Sequence, residues 1–114
     1  MKREHRLKKS AAFTYVRKRG ERTATRHLAL IAARSAEGLK VGLSVSKKVG
    51  KAVVRNRVKR LLREAVTAIE DRIDASALYI VYVRPSAAGL GYAEMCAEVE
   101  ELFARAGRLG EAKA

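Results

Sequence analysis

The sequence predicts an α+β fold: a two-layer arrangement with helices on one face of a small sheet, in the order α-β-β-α-β-α. Three observations carry this. Leu39–Ser46 alternates apolar and polar residues, residues 52–73 repeat their apolar positions at helical spacing, and Leu78–Arg84 is a continuous β-branched and aromatic run. Elements of both kinds, segregated along the chain, build a sheet with its helices to one side.

Each element has a local reason. Ser10 is a plausible N-cap and Gly20 a plausible stop for a short helix over Ala11–Arg19, on which Phe13, Val16 and Arg17 share a face. A polar connection over 21–26 can hold one short edge strand. His27–Ala33 is an apolar strand, Ser35–Gly38 a turn, and Leu39–Ser46 a second strand, together a hairpin. On that second strand Leu39, Val41, Leu43 and Val45 face one way. Lys40, Gly42, Ser44 and Ser46 face the other, leaving open surface. After Pro85–Gly91 a last helix, Tyr92–Ala106, places Tyr92, Met95, Val99, Leu102, Phe103 and Ala106 on one stripe. The chain reads as one domain over 1–114, with a loosely ordered basic arm at 1–9 and a frayed tail at 107–114.

Charge is the strongest functional signal. Residues 1–63 hold 20 Lys and Arg against three acids, a net of +17, whereas residues 64–114 hold five against nine, a net of −4. Such asymmetry calls for a polyanionic partner. One cysteine, Cys96, excludes an intrachain disulfide and a multi-cysteine zinc site. No apolar run approaches the roughly 20 residues of a membrane span, and no apolar signal segment follows the basic N-terminus. The expected location is therefore cytoplasmic.

The helix over 52–73 concentrates the charge. With Arg55 set at zero, Lys59 falls at about 40°, Arg63 at about 80°, Asn56 at about 100° and Arg60 at about 140°. Val54, Val58, Leu61, Leu62, Ala65 and Ile69 lie between roughly 240° and 340°, with Arg57 on the border at about 200°. One face is core; the other is a cationic strip around one amide, and Arg55, Asn56, Arg57, Lys59, Arg60 and Arg63 are the expected nucleic-acid contacts. An ordinary solvated face mixes signs, yet no acid occurs between Glu37 and Glu64. Like charges stacked four apart cost stability unless a polyanion neutralises them. Arginine grips phosphate through a planar fork. Asn56 is suited to a base edge or sugar hydroxyl, or to plain solvation. Lys47, Lys48 and Lys51 precede the helix start, whose free amides also favour phosphate.

No catalytic constellation and no metal site emerge. Gly42–Lys51 lacks phosphate-loop spacing. His5 and His27 stand alone, Glu70, Asp71 and Asp74 read as a solvated helix end, and Cys96 reads as packing. An interfacial membrane helix would carry an apolar Trp/Phe/Leu face beside its basic strip, and this sequence lacks one.

The run from Val41 to Glu64, centred on Arg55-Asn56-Arg57 and continuing to Lys59, Arg60 and Arg63, resembles the bacterial ribonuclease P protein family. Arg6-Leu7-Lys8-Lys9, Phe13 and Arg84-Pro85 resemble it too. The resemblance implies a left-handed βαβ crossover. It also implies a subunit that binds a catalytic RNA and the 5′ leader of precursor tRNA and promotes removal of that leader. The RNA would hold the catalytic Mg2+, the protein no cofactor, and neither membrane nor small-molecule substrate would take part. It further implies a leader cleft between the first helix and the open sheet face, at Phe13, Arg17, Ile31 and Ser44. Some members carry aromatics at the positions of Arg17 and Ile31; this sequence does not, so stacking on the leader should be weaker. From the residues alone, Phe13 fits cleft or core equally. Helix strip and cleft are expected to serve different parts of the RNA. The competing reading is a structural ribosomal protein outside any catalytic complex.

Overall fold

The computed structural model describes residues 1–111. It holds three helices and one four-stranded sheet: α1 (Ser10–Arg19), β1 (Glu21–Ala24), β2 (Leu28–Arg34), β3 (Lys40–Ser44), α2 (Ala52–Ala68), β4 (Ala77–Val83) and α3 (Tyr92–Arg105). The α+β class and the order of elements are as the sequence predicts, and the short edge strand forms as β1. Ser10 lies inside α1, with Lys9 at the cap position.

The strand order is β1-β2-β4-β3, and this overturns the expected hairpin. β2 and β3 do not pair. β4 inserts between them, antiparallel to β2 (Leu28 opposite Val83) and parallel to β3 (Lys40 opposite Leu78). Burial is the reason. β4 is apolar at every position and nearly all of it is buried, so it belongs at the centre with both faces covered. β3 has a polar, small-residue face and tolerates the edge. The Ser35–Gly38 turn, with Gly38 at φ +92°, therefore carries the chain across the width of β4. β3, α2 and β4 form the parallel βαβ unit that the resemblance implies.

Strand alternation divides the core in two. Leu28, Leu30, Val41, Tyr79 and Val81 meet Val58, Leu62 and Val66 of α2 and Met95, Val99, Leu102 and Phe103 of α3. Tyr79 and Phe103 meet edge to face, with ring centroids 5.2 Å apart. On the opposite face Ala33, Leu78 and Ile80 meet Val16 of α1 and Leu7. The helices thus do not share one face: α1 covers the other side, because Phe13 and Val16 are apolar residues that need cover of their own. Tyr92, expected in the core stripe of the last helix, is 49% exposed at its first turn.

Both ends of the described residues are tied down more than the sequence suggests. α2 stops at Ala68, and a 3-10 turn over Glu70–Arg72 redirects the chain. Residues 1–9 are not a loose arm. Arg6 bridges Val41, Leu7 N–H donates to Val41 O at 3.1 Å, and Leu7 is buried. The tail is likewise docked at its start. Leu109 bridges Ile73, and Arg108 pairs with Asp74 at 2.8 Å. The remainder of the expected frayed tail, 112–114, lies outside the described residues. No helix among the described residues is long and apolar enough to cross a membrane.

Candidate RNA interface

α2 positions the cationic strip through its buried stripe. Val58, Leu61, Leu62, Ala65 and Val66 fix the helix on the sheet, and the opposite arc projects outward. Asn56, Lys59 and Arg60 are exposed, and Arg55 and Arg63 are half-buried. The Nε atoms of Arg55 and Arg63 are buried without an acceptor among the described residues. Lys47 and Lys48 lie in a 3-10 turn, Lys51 stands at the cap position, and α2 begins without a capping side chain or an acid in its first turn. Cationic side chains and free amides therefore converge at that end.

Arg57 departs from the strip. Its guanidinium donates to Ala88 O at 3.1 Å and Leu90 O at 3.3 Å. It ties α2 to the Pro85–Gly89 turn that leads into α3, in keeping with its place on the border between the two arcs.

The four cleft residues come together on the α1 face of the sheet. Phe13 lies directly over Gly42: a Cβ built there would fall 2.6 Å from the Phe13 ring. The space left by Gly42 is thus filled by the aromatic ring. Sheet register aligns Ile31, Ile80 and Gly42 in one row, and Ala29, Tyr82 and Ser44 in the next. Arg17 joins the rows. Its guanidinium carbon is 5.6 Å from the Phe13 ring centroid, and its Nε donates to the Tyr82 hydroxyl at 3.0 Å.

Tyr82 is the residue sequence reasoning missed. It is half-buried and lines a depression with Arg22, Ala29, Ile31 and Arg84. An aromatic ring therefore stands close to where Arg17 and Ile31 lack one. The alternation of β4 carried the signal, since Tyr79 and Tyr82 must point to opposite faces.

Strip and cleft are not separate. A groove along the β3 edge is lined by Phe13, Gly42, Leu43, Arg6 and Lys8 together with Lys59 and Arg63 of α2. Phe13 is thus shared between the α1 face of the sheet and the groove beside α2. The candidate acids all lie elsewhere. Glu70, expected to be solvated, is 8% exposed and accepts from Lys2 N–H at 2.8 Å and meets His5 Nδ1 at 2.6 Å. Burial pushes its carboxyl up, but the hydrogen bonds from His5 and Lys2, with the nearby N-terminal charge, outweigh burial and hold it below its ordinary value. Asp74 accepts from the Ser76 hydroxyl and amide and from Arg108, which hold its carboxyl down at about 2.

Fold and site together define a small basic α+β protein with a cationic groove that has the Phe13 ring in its lining. The ribonuclease P family model matches residues 1–107. The ribonuclease P protein component of Bacillus cereus strain AH187 is 38% identical over 109 residues, covering 94% of this chain and 95% of that protein. The RNase P protein of Staphylococcus aureus superposes with a TM-score of 0.85 at 30% identity, covering 93% of this chain and 98% of that one. The RNase P protein of Thermotoga maritima, at 20% identity and a TM-score of 0.77, shares the fold. The chain belongs to the ribonuclease P protein family, whose members are components of a tRNA-processing ribonucleoprotein nuclease.

Proposed function

We propose that the chain binds the catalytic RNA of ribonuclease P through Arg55, Asn56, Lys59, Arg60 and Arg63, with Lys47, Lys48 and Lys51 at the helix start. The groove of Phe13, Arg17, Ile31, Ser44 and Tyr82 takes the 5′ leader of precursor tRNA. The observation that carries this reading is the shared lining: the Phe13 ring and the cations Arg6, Lys8, Lys59 and Arg63 line one groove, and Arg17 links that ring to Tyr82. Stacking holds a single strand without regard to sequence, and cations neutralise its phosphates. A folded RNA surface needs the rigid array of charge that a helix offers.

In this reading the protein supplies binding and placement. The RNA subunit holds the catalytic Mg2+, and no protein side chain touches the scissile bond. Holding substrate and RNA in register lowers the entropic cost of their encounter. The test is reconstitution. Added to a bacterial ribonuclease P RNA at low Mg2+, the chain should restore cleavage at the mature 5′ end of precursor tRNA. Cleavage no faster than with RNA alone, at protein concentrations that saturate the RNA, overturns the reading.

A further inference from the structure

The basic stretch before α1 is held by a device whose purpose is not evident from stability alone. Glu70 lies two residues past the end of α2, where the helix dipole disfavours a carboxylate, and it is buried, which disfavours one again. It is retained there by two partners from the other end of the chain, the Lys2 amide and the His5 ring. Lys2, Arg3, Glu4 and Arg6 of the segment so fixed are all exposed, whereas Met1 before them packs against the core and its amino group donates to Thr67 Oγ1. What the contacts fix is direction. His5 N–H donates to Lys2 O and Arg6 N–H to Arg3 O, so the stretch turns once and delivers Arg6 to the β3 edge beside Val41. There Arg6 and Lys8 share one groove with Lys59 and Arg63. A second tie, from Lys40 Nζ to Glu4 O at 3.0 Å, holds the same turn against the β3 edge.

We propose that Glu70 is a positioning residue for the leader groove: with His5 it latches residues 2–6 against the end of α2, so that Arg6 forms a fixed wall of the groove. The proposal rests on the leader reading of that groove. Without the latch, residues 2–6 must be ordered each time a leader binds, and that ordering weakens binding. Leu7, held by its own burial and by Val41, stays in place.

The test uses the full chain and then the holoenzyme. In the free protein, amide exchange is measured at His5, Arg6 and Leu7 in wild type, Glu70→Ala, Glu70→Gln and His5→Ala. Protection should fall at His5 and Arg6 in the two alanine variants, persist at Leu7, and be largely restored by glutamine, which still accepts a hydrogen bond. In the holoenzyme, the ratio of precursor to mature tRNA affinity should fall about three- to tenfold in the alanine variants, the scale of re-ordering a few side chains. The ratio should recover in Glu70→Gln, with mature tRNA affinity unchanged throughout. Should Glu70→Ala fail to fold, His5→Ala carries the test, since it leaves the core intact. Unchanged exchange at His5 and Arg6 overturns the latch. Increased exchange with an unchanged ratio overturns its role in the groove. A wild-type ratio near one overturns the leader reading itself, and the proposal with it.

Discussion

Gly42 carries no side chain because the Phe13 ring occupies the place where one would be, with ring carbons 2.6 and 2.7 Å from a built Cβ. Gly42→Ala therefore pushes the ring out over the groove. The stability cost should stay within about 1–3 kcal/mol, as for a modest overpacking. The affinity ratio of precursor to mature tRNA in the holoenzyme should fall well beyond what that cost explains. A variant that loses stability but keeps its ratio would show that Phe13 is packing and not cleft. That Phe13, Arg17, Ile31 and Ser44 share one face of the sheet was legible in the sequence, through the family motif and through alternation along β3. Tyr82 was not, because a tyrosine inside Leu78–Arg84 reads as core until it is known that the α1 cover stops short of it. Nor was Glu70, whose partners lie 65 and 68 residues away.

α2 holds side chains with opposite tasks on one surface. Arg57 is engaged by two carbonyls, whereas Arg60 is in no ion pair or side-chain hydrogen bond among the described residues. Arg57→Ala should cost about 1 kcal/mol, near 4 °C in thermal midpoint, with the bonds discounted for their exposure. Arg60→Ala should leave the midpoint alone and weaken binding to the catalytic RNA by about 1–3 kcal/mol. Thermal melts beside an RNA titration separate the two, and equal midpoints would contradict the assignment of Arg57. The junction before β4 has a pH signature. Asp74 is held down at about 2 from an ordinary value of 3.8 by Ser76 and Arg108. A depressed carboxyl stabilises the fold above its unfolded value and loses that contribution as pH falls through its folded value. Wild type should therefore lose stability between about pH 4 and pH 2 more steeply than Asp74→Asn, read from denaturant midpoints; parallel curves would exclude the pairing. Periodicity revealed α1, α2, β3, β4 and α3, but not the neighbour of each strand. The short turn after β2 favoured a hairpin locally. The competing demand, that a strand apolar on both faces be covered on both, acts only once the whole sheet is assembled.

Across the whole molecule, charge is divided between two halves of the sequence, and the fold turns that division into geometry. The basic half builds α1, the β3 edge and the exposed arc of α2, while α3 carries Glu94, Glu98, Glu100 and Glu101. The imbalance itself was plain in the sequence. That Phe13, Lys59 and Arg63 line one groove was not, because they are joined only by the packing of α1 and α2 about β3. If six to ten phosphates are neutralised on this surface, RNA affinity should fall by roughly 10³–10⁵ between 50 and 200 mM salt, somewhat less for single strands. A nearly flat plot of log affinity against log salt would contradict the cationic groove. The most direct test of the central claim is to locate the leader. A precursor tRNA carrying a photoreactive nucleotide in its 5′ leader is irradiated in the reconstituted holoenzyme, and the attached peptides are sequenced. Adducts should map to Phe13, Leu43 and Tyr82; adducts confined to the acidic face of α3 would contradict the account.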